Sequence, residues 1–361
     1  MTERLRIAMI GTGWWATTAH LPSILSNPRI ELVAVCDPDP SRAAAAALAF
    51  GAPQQYSDIR DLLDNAAVDA VVVATPHTTH FELAAAALRA GVHALVEKPL
   101  TTTSKDAWEL VRLAAERRLV LSVGATYQFA DTAAQVRAAV REQIGDIVAI
   151  NAEFSSNTIT LFETTELTAE VQADPAVAHG TTYSNPALSG GGQGQTQLSH
   201  VLGSILTMTG QQATEVFAMM DDRGLAVDVV DGLVFRLEGG ALCTASSTGT
   251  TPEGVPVRHR VRYHGVQGMI EHDLLAAEAW VFRGGRLGEH IMHSVHEPPY
   301  SKRAPVARFA EQILDGGPDY APAHLAAATV SLIDAAYRSA ESGAAHAVLN
   351  GHTFQKEERN A

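Results

Sequence analysis

The 361-residue sequence predicts an α/β protein in two parts. A doubly wound parallel sheet comes first, and an α+β domain with a mostly antiparallel sheet follows. Three observations carry this. Short apolar runs alternate with amphipathic stretches over the first 120 or so residues, which reads as βαβ units. Period-2 alternation dominates the later half, as antiparallel strands with one wet face require. A Gly-x-Gly turn joins the first apolar run to the first helix.

The elements follow in order. Leu5–Ile10 is an apolar run with one charge, Arg6, and reads as a buried strand. Ala16–Ser26 is a helix stopped by Asn27-Pro28. Ile30–Cys36 is a strand, and Ser41–Phe50 a helix with Ser41 as N-cap and Gly51 as C-cap. Ala70–Ala74 is a strand. Thr79–Ala90 is a helix with Leu83, Ala84, Ala87 and Leu88 on one face, closed by Gly91. His93–Val96 and Val120–Val123 are strands on either side of a Ser104–Arg117 helix. After a Thr132–Ile144 helix, Val216–Met220, Val227–Leu237, Ala241–Ser247, Val257–His264 and Ala279–Arg283 alternate as strands. Ser155–Gly194 is polar and reads as a long functional loop. Val306–Leu314 and Ala323–Ala340 return to helix. The expected domains are 1–125 and 126–361, with the last helix packing back on the first domain.

Composition narrows the function. A net charge of −14 argues against nucleic acid and anionic membrane as partners, because a phosphate polyanion needs a basic surface. Two cysteines, Cys36 and Cys243, make no disulfide framework and fit a reducing compartment. The N-terminus has no signal-peptide pattern and no run is long enough to span a bilayer, so a cytoplasmic location is expected.

Three motifs carry chemistry. In Gly11-Thr12-Gly13-Trp14-Trp15-Ala16, Gly11 permits a tight turn and Gly13 a close approach to a pyrophosphate on the helix N-terminus. Ala16 keeps helix and strand close. Asp37 ends the second strand, where a carboxylate receives the adenosine ribose 2′-OH and repels a 2′-phosphate. NAD is the expected cofactor, while nearby Arg42 keeps NADP open. Glu97-Lys98-Pro99 follows the His93–Val96 strand, at the strand ends where open α/β sheets bind ligands. Lys98 is the candidate proton acceptor and donor. Gly190–His200 is glycine-rich and leads into a helix that presents Thr196 and His200 one turn apart.

Together with Ala74–His80 and Ala90–His93, these motifs resemble the Gfo/Idh/MocA oxidoreductases, which act on sugars, inositols and related polyols, and the resemblance spans nearly the whole chain. It implies a Rossmann domain, then an open-sheet α+β domain, and a homodimer or homotetramer. It places Lys98 beside the substrate hydroxyl and assigns the family histidine to His200. Thr75, Pro76 and His77 then line the nicotinamide ribose, with His80 and Glu97 alongside. The sequence departs from the family pattern in several places. Thr196 stands where an aspartate is common, Gly203 replaces a second acid, His77 replaces an asparagine and Gln128 an arginine.

The expected reaction is hydride transfer between NAD and a secondary hydroxyl of a neutral sugar, inositol or glycoside. Lys98 takes the proton and His200 orients the hydroxyl, while Tyr127, Gln128, Gln195 and Thr196 read neighbouring groups. A glycoside-cleaving or epimerising enzyme with transient oxidation is one rival, and a non-catalytic nucleotide sensor another. No metal is expected. His290, His293 and His296 recur every third residue, which suits neither a strand face nor a helical ligand pair.

Overall fold

In the computed structural model, residues 4–163, 180–284, 286–292, 300–351 and 353–354 are described. The first sheet holds β1 (Leu5–Ile10), β2 (Ile30–Cys36), β3 (Gln54–Tyr56), β4 (Ala70–Val73), β5 (His93–Val96) and β6 (Leu121–Val123). All pair in parallel, in the order β3-β2-β1-β4-β5-β6. The order reverses between β1 and β4, which opens a crevice at the C-terminal ends of those two strands. The inner strands are buried on both faces, as their apolar runs require: β4 reads Ala-Val-Val-Val and is wholly buried.

Helices α1 (Leu21–Ser26), α2 (Pro40–Phe50), α3 (Ile59–Asn65), α4 (His80–Arg89) and α5 (Ser104–Arg117) cross over between these strands. A π-helical turn, Ala16–His20, precedes α1. Asp39, not Ser41, caps α2. Its carboxylate accepts from the amides of Ser41 and Arg42, because Pro40 occupies the first helical position and leaves Ser41 inside the helix. Gly51 ends α2 in the left-handed region, as expected.

The second sheet has nine strands in the order β14-β13-β12-β11-β7-β10-β9-β8-β15. In chain order they are β7 (Ile147–Ser155), β8 (Ala213–Asp221), β9 (Val230–Leu237), β10 (Leu242–Thr248), β11 (Arg258–Gly265), β12 (Gly268–Asp273), β13 (Glu278–Arg283), β14 (Arg286–Met292) and β15 (His346–Ala347). Only β7 and β10 pair in parallel; the other neighbours are antiparallel. One face packs on helices α6 (Asp131–Glu142), α7 (Ser199–Thr209) and α9 (Ala323–Ser342). Helix α7 is buried along almost its whole length, and the hydroxyls of Ser199, Ser204 and Thr209 are satisfied there by carbonyls of the preceding turn. The segment read as a loop is partly ordered into short helices at Ile159–Glu163, Gly180–Ser184 and Pro186–Ser189; 164–179 lie outside the described residues.

The chain returns to the first sheet at its end. Helix α8 (Ala304–Asp315) places Val306, Phe309 and Ala310 in one core cluster with Leu5, Ile7, Met9, Leu21 and Ile24. Helix α9 packs on α5, where the Trp108 indole donates to Ser331 Oγ at 2.9 Å.

Candidate functional site

The crevice between β1 and β4 is lined by the sequence motifs. The Gly11 amide donates to the carbonyl of Cys36 at 2.8 Å, and its φ is +86°. A Cβ there would collide with the carbonyl of Ala74, so only glycine fits the turn. Nothing lies within 4 Å of where a Cβ on Gly13 would sit, which leaves room for a phosphate against the helix start. Ala16 is buried under that helix. The carboxylate of Asp37, at the end of β2, accepts from Thr12 N and Oγ1 at 2.9 Å through Oδ2. Its Oδ1 accepts from Asp39 N at 3.0 Å and from Arg42 at 2.9 Å. Every lone pair of Asp37 is thus in use, so a ribose diol meets it by displacing the half-exposed Arg42.

Glu97 is the hub on the other side. Its Oε1 accepts from the Trp15 indole at 2.9 Å and from His20 Nε2 at 2.8 Å, and its Oε2 from Lys98 N at 3.1 Å. Burial opposes its ionisation, but the His20 hydrogen bond and the charges of His20 and Lys98 outweigh burial. Its carboxyl is held below the ordinary range. Trp15 also meets Trp14, Tyr300 and the ammonium of Lys302. The role of the Trp pair is thereby partly read: Trp15 fixes Glu97.

His80 is fully buried, with Nδ1 2.8 Å from the Pro99 carbonyl and Nε2 3.0 Å from the Thr75 carbonyl. It ties the Thr75-Pro76 turn to the turn that carries Lys98, whose bond to Pro99 is cis. His77 faces the second domain: its Nδ1 lies 2.9 Å from the carbonyl of Ser189, and its ring meets Tyr183 edge-on.

Half-buried Lys98 donates from Nζ to the carbonyl of Thr196 at 2.8 Å. Burial depresses its ammonium to about 8, against the opposing pull of Glu97. Thr196 spends its hydroxyl on the carbonyl of Gly192 at 2.8 Å, so its backbone, not its side chain, faces Lys98. The π-helical turn Gly194–Leu198 that carries it opens α7. His200 is packed edge-on to Tyr127, with ring centres 5.1 Å apart. Burial first, and then the charge of Lys98, hold its imidazole well below the ordinary range, so it is neutral. Gln128 and Gln195 are buried nearby, and Gln195 Oε1 has no partner among the described residues. The sequence reading missed His20, Tyr300 and His259. His259 lies on β11, fully buried and edge-on to Tyr127, with ring centres 4.7 Å apart. Its two ring nitrogens lack partners among the described residues, and burial lowers it to about 3.

His290 stacks on Trp280 at 3.6 Å and meets Glu278, on β13, at 3.2 Å. His293 and His296 lie outside the described residues, and among the described ones no cluster of ligands fits a metal.

The profile of an oxidoreductase family with an NAD-binding Rossmann fold matches residues 5–125, and that of the GFO/IDH/MocA C-terminal domain matches 133–271. The chain belongs to the Gfo/Idh/MocA oxidoreductases. Its first domain is the NAD-binding Rossmann fold of that family, and the open turn at Gly11–Gly13 with Asp37 beyond it fits a nicotinamide dinucleotide. D-xylose 1-dehydrogenase (NADP(+)) 2 of Haloferax volcanii is 24% identical over 94% of this chain and 99% of its own length. D-glucoside 3-dehydrogenase of Escherichia coli is 35% identical, over 37% of this chain and 38% of its own length. Several relatives match over only about a third of this chain and about a third of their own length. Among solved structures, an oxidoreductase domain protein from Kribbella flavida superimposes with a TM-score of 0.82 at 22% identity, over 96% of this chain and all of that one. Levoglucosan dehydrogenase with NADH and L-sorbose gives 0.79 at 20% identity and 96% coverage. These likenesses establish the shared fold.

Proposed function

We propose that this enzyme moves a hydride between NAD and a secondary hydroxyl of a neutral sugar, inositol or glycoside. The observation that carries the reading is Lys98. A half-buried amine brought down to about 8 by burial sits at a strand end, hydrogen-bonded among the described residues only to a backbone carbonyl, beside a neutral imidazole. Such an amine can accept a proton near neutral pH and return it. The dehydrogenase names of two relatives, acting on xylose and on glucosides, point the same way.

Bound NAD supplies the hydride acceptor. The residues of this chain supply the rest. Gly11–Gly13 and the helix start receive the pyrophosphate, and Asp37 receives the ribose once Arg42 swings aside. Trp14, Trp15, Thr75, Pro76, His77, His80 and Glu97 shape the nicotinamide end. Lys98 takes the hydroxyl proton, and neutral His200 hydrogen-bonds the same oxygen. Tyr127, Gln128, Gln195 and the Thr196 segment read neighbouring hydroxyls. These donors are amides, phenols and imidazoles, with no arginine among them, which suits a neutral ligand over a phosphorylated one.

The proposed domains are 1–125, for the cofactor, and 126–361, for substrate and assembly. Among the described residues no helix is long and apolar enough to cross a membrane. A cytoplasmic homodimer or homotetramer is the proposed form. The test is a screen of sugars, inositols and glycosides with NAD, following NADH absorbance, repeated with Lys98→Ala. Turnover that survives Lys98→Ala undiminished would remove Lys98 from the scheme.

A further inference from the structure

Beside the glycine-rich segment lies a pair of carboxyl groups that the scheme does not use. The Asp228 carboxylate, just before β9, accepts from Gly192 N and Tyr337 Oη, both at 2.7 Å, through Oδ1. Its Oδ2 accepts from Gly194 N at 2.6 Å. The backbone joins in, since Gln193 N donates to the Asp228 carbonyl at 2.8 Å. A Cβ on Gly192 would collide with that carbonyl, and one on Gly194 would press the Tyr337 hydroxyl at 2.7 Å. The glycines are therefore fitted to Asp228. The same backbone runs directly into Thr196, whose carbonyl receives Lys98, and on to His200.

Asp231 points inward from β9, only 1% exposed, and among the described residues no donor reaches either of its carboxyl oxygens. An ionised carboxylate there would leave two dry acceptors beside a second negative charge. A neutral acid removes that charge and gains an O–H to donate. Burial first, and then the charge of Asp228, push the Asp231 carboxyl well above the ordinary range. The titratable groups facing it are Asp228, from the turn before its strand, and Tyr337, from α9. Its register neighbours across the sheet are Met220 on β8 and Ser247 on β10, and Ser247 Oγ accepts from the Gln193 amide at 2.9 Å.

We propose that Asp231 is a positioning residue kept as a neutral acid. Its O–H donates to Asp228, which clamps Gly192–Gly194 and so sets the Thr196 carbonyl and the His200 ring against Lys98. The kinetic arm of the test rests on the reading of Lys98 given above; the protonation arm does not.

Full-length wild type, Asp231→Asn and Asp231→Ala are compared. Infrared difference spectra in D2O at neutral pH should contain the carbonyl stretch of a buried neutral carboxylic acid in wild type, and Asp231→Asn should lose it. No such band, or an unchanged band in Asp231→Asn, overturns the proposal. Thermal unfolding gives a second readout. The folded wild type holds a proton that the unfolded chain releases above the ordinary carboxylate range, so wild-type stability falls as pH rises there. Asp231→Asn should flatten that fall; an unchanged slope counts against the proposal. On a substrate from the screen, Asp231→Asn should keep kcat within a few-fold, because the amide still donates to Asp228. Asp231→Ala should lose ~10–100-fold in kcat, the scale of a hydrogen bond to a charged group. NAD binding should hold in both, since the pair lies outside the first sheet. Should Asp231→Ala fail to fold, the asparagine variant still decides. A band present with no polyol turned over would sink the functional reading alone; turnover that needs Lys98 with no band would sink this proposal alone.

Discussion

At the scale of single residues, Lys98 and Asp37 make separable predictions. Lys98 must be neutral to take a proton, and burial brings its ammonium down to about 8. The rate of alcohol oxidation should therefore rise with pH and level off above about 8, while carbonyl reduction, which needs the ammonium, should fall over the same range. His200 adds no step, because it is already neutral. Lys98→Arg keeps the charge but cannot release its proton, so it should abolish the rise and cost ~10²–10⁴ in rate. Initial rates across pH in both directions check this, and an oxidation rate flat through that range would contradict it. Asp37 decides between cofactors. Its carboxylate is held by Thr12 and Arg42, so Asp37→Ser frees Arg42 to meet a 2′-phosphate. NAD affinity should drop ~10–100-fold, the scale of hydrogen bonds to a charged group, while NADP affinity rises. Titration of both cofactors against the variant measures this, and an unchanged preference would clear Asp37 of the role.

At the scale of elements, the sequence was legible where apolar periodicity was strong and blind where geometry alone decides. Strands β1, β2 and β5 fall on their predicted residues because buried parallel strands read as continuous apolar runs. Strand β3 escaped because it is three residues long at the sheet edge, and two of them are exposed. Helix α3 did leave a signal: Asp58 caps it, ahead of Ile59 and Leu62. Strand β7 is central yet buries only Ile150 and Phe154, so its pattern is faint. In the site, Lys98 and His200 were readable from motifs, whereas His20 reaches Glu97 across 77 residues and leaves no local pattern. The glycine-rich run was read as a feed into a helix. The structure gives the stricter reason, its fit around Asp228. Gly192→Ala should therefore cost about 1–3 kcal/mol, as overpacked sites do. Denaturant titration measures it, and a midpoint equal to that of wild type would mean the segment yields freely.

At the scale of the whole molecule, the two sheets are tied by returning helices and the second sheet leaves one face open. Phe309 on α8 is buried against Ile7, Met9 and Leu21 of the first domain. Phe309→Ala should cost about 3–5 kcal/mol and lower the stability of the cofactor domain, although the residue is some 300 positions from β1 in the chain. The outer face of the nine-stranded sheet behaves differently. Alternation sends Phe217 and Met219 of β8, Val234 of β9 and Leu242 of β10 outward, and all four are exposed, Met219 at 71%. Phe217 lies directly opposite Val234 in the register, so these two make one apolar surface across β8 and β9. Exposed apolar side chains on a regular sheet are what the interface of the proposed oligomer would cover. A second copy of the same face would cover them symmetrically. Phe217→Asp with Met219→Asp should then leave the fold intact, since neither side chain supports the core, but place charges where copies meet. Sedimentation should find wild type as a dimer or tetramer and the double variant at lower mass, with unchanged circular dichroism. A wild type that sediments as a monomer at the concentrations used for assay would refute assembly through this face.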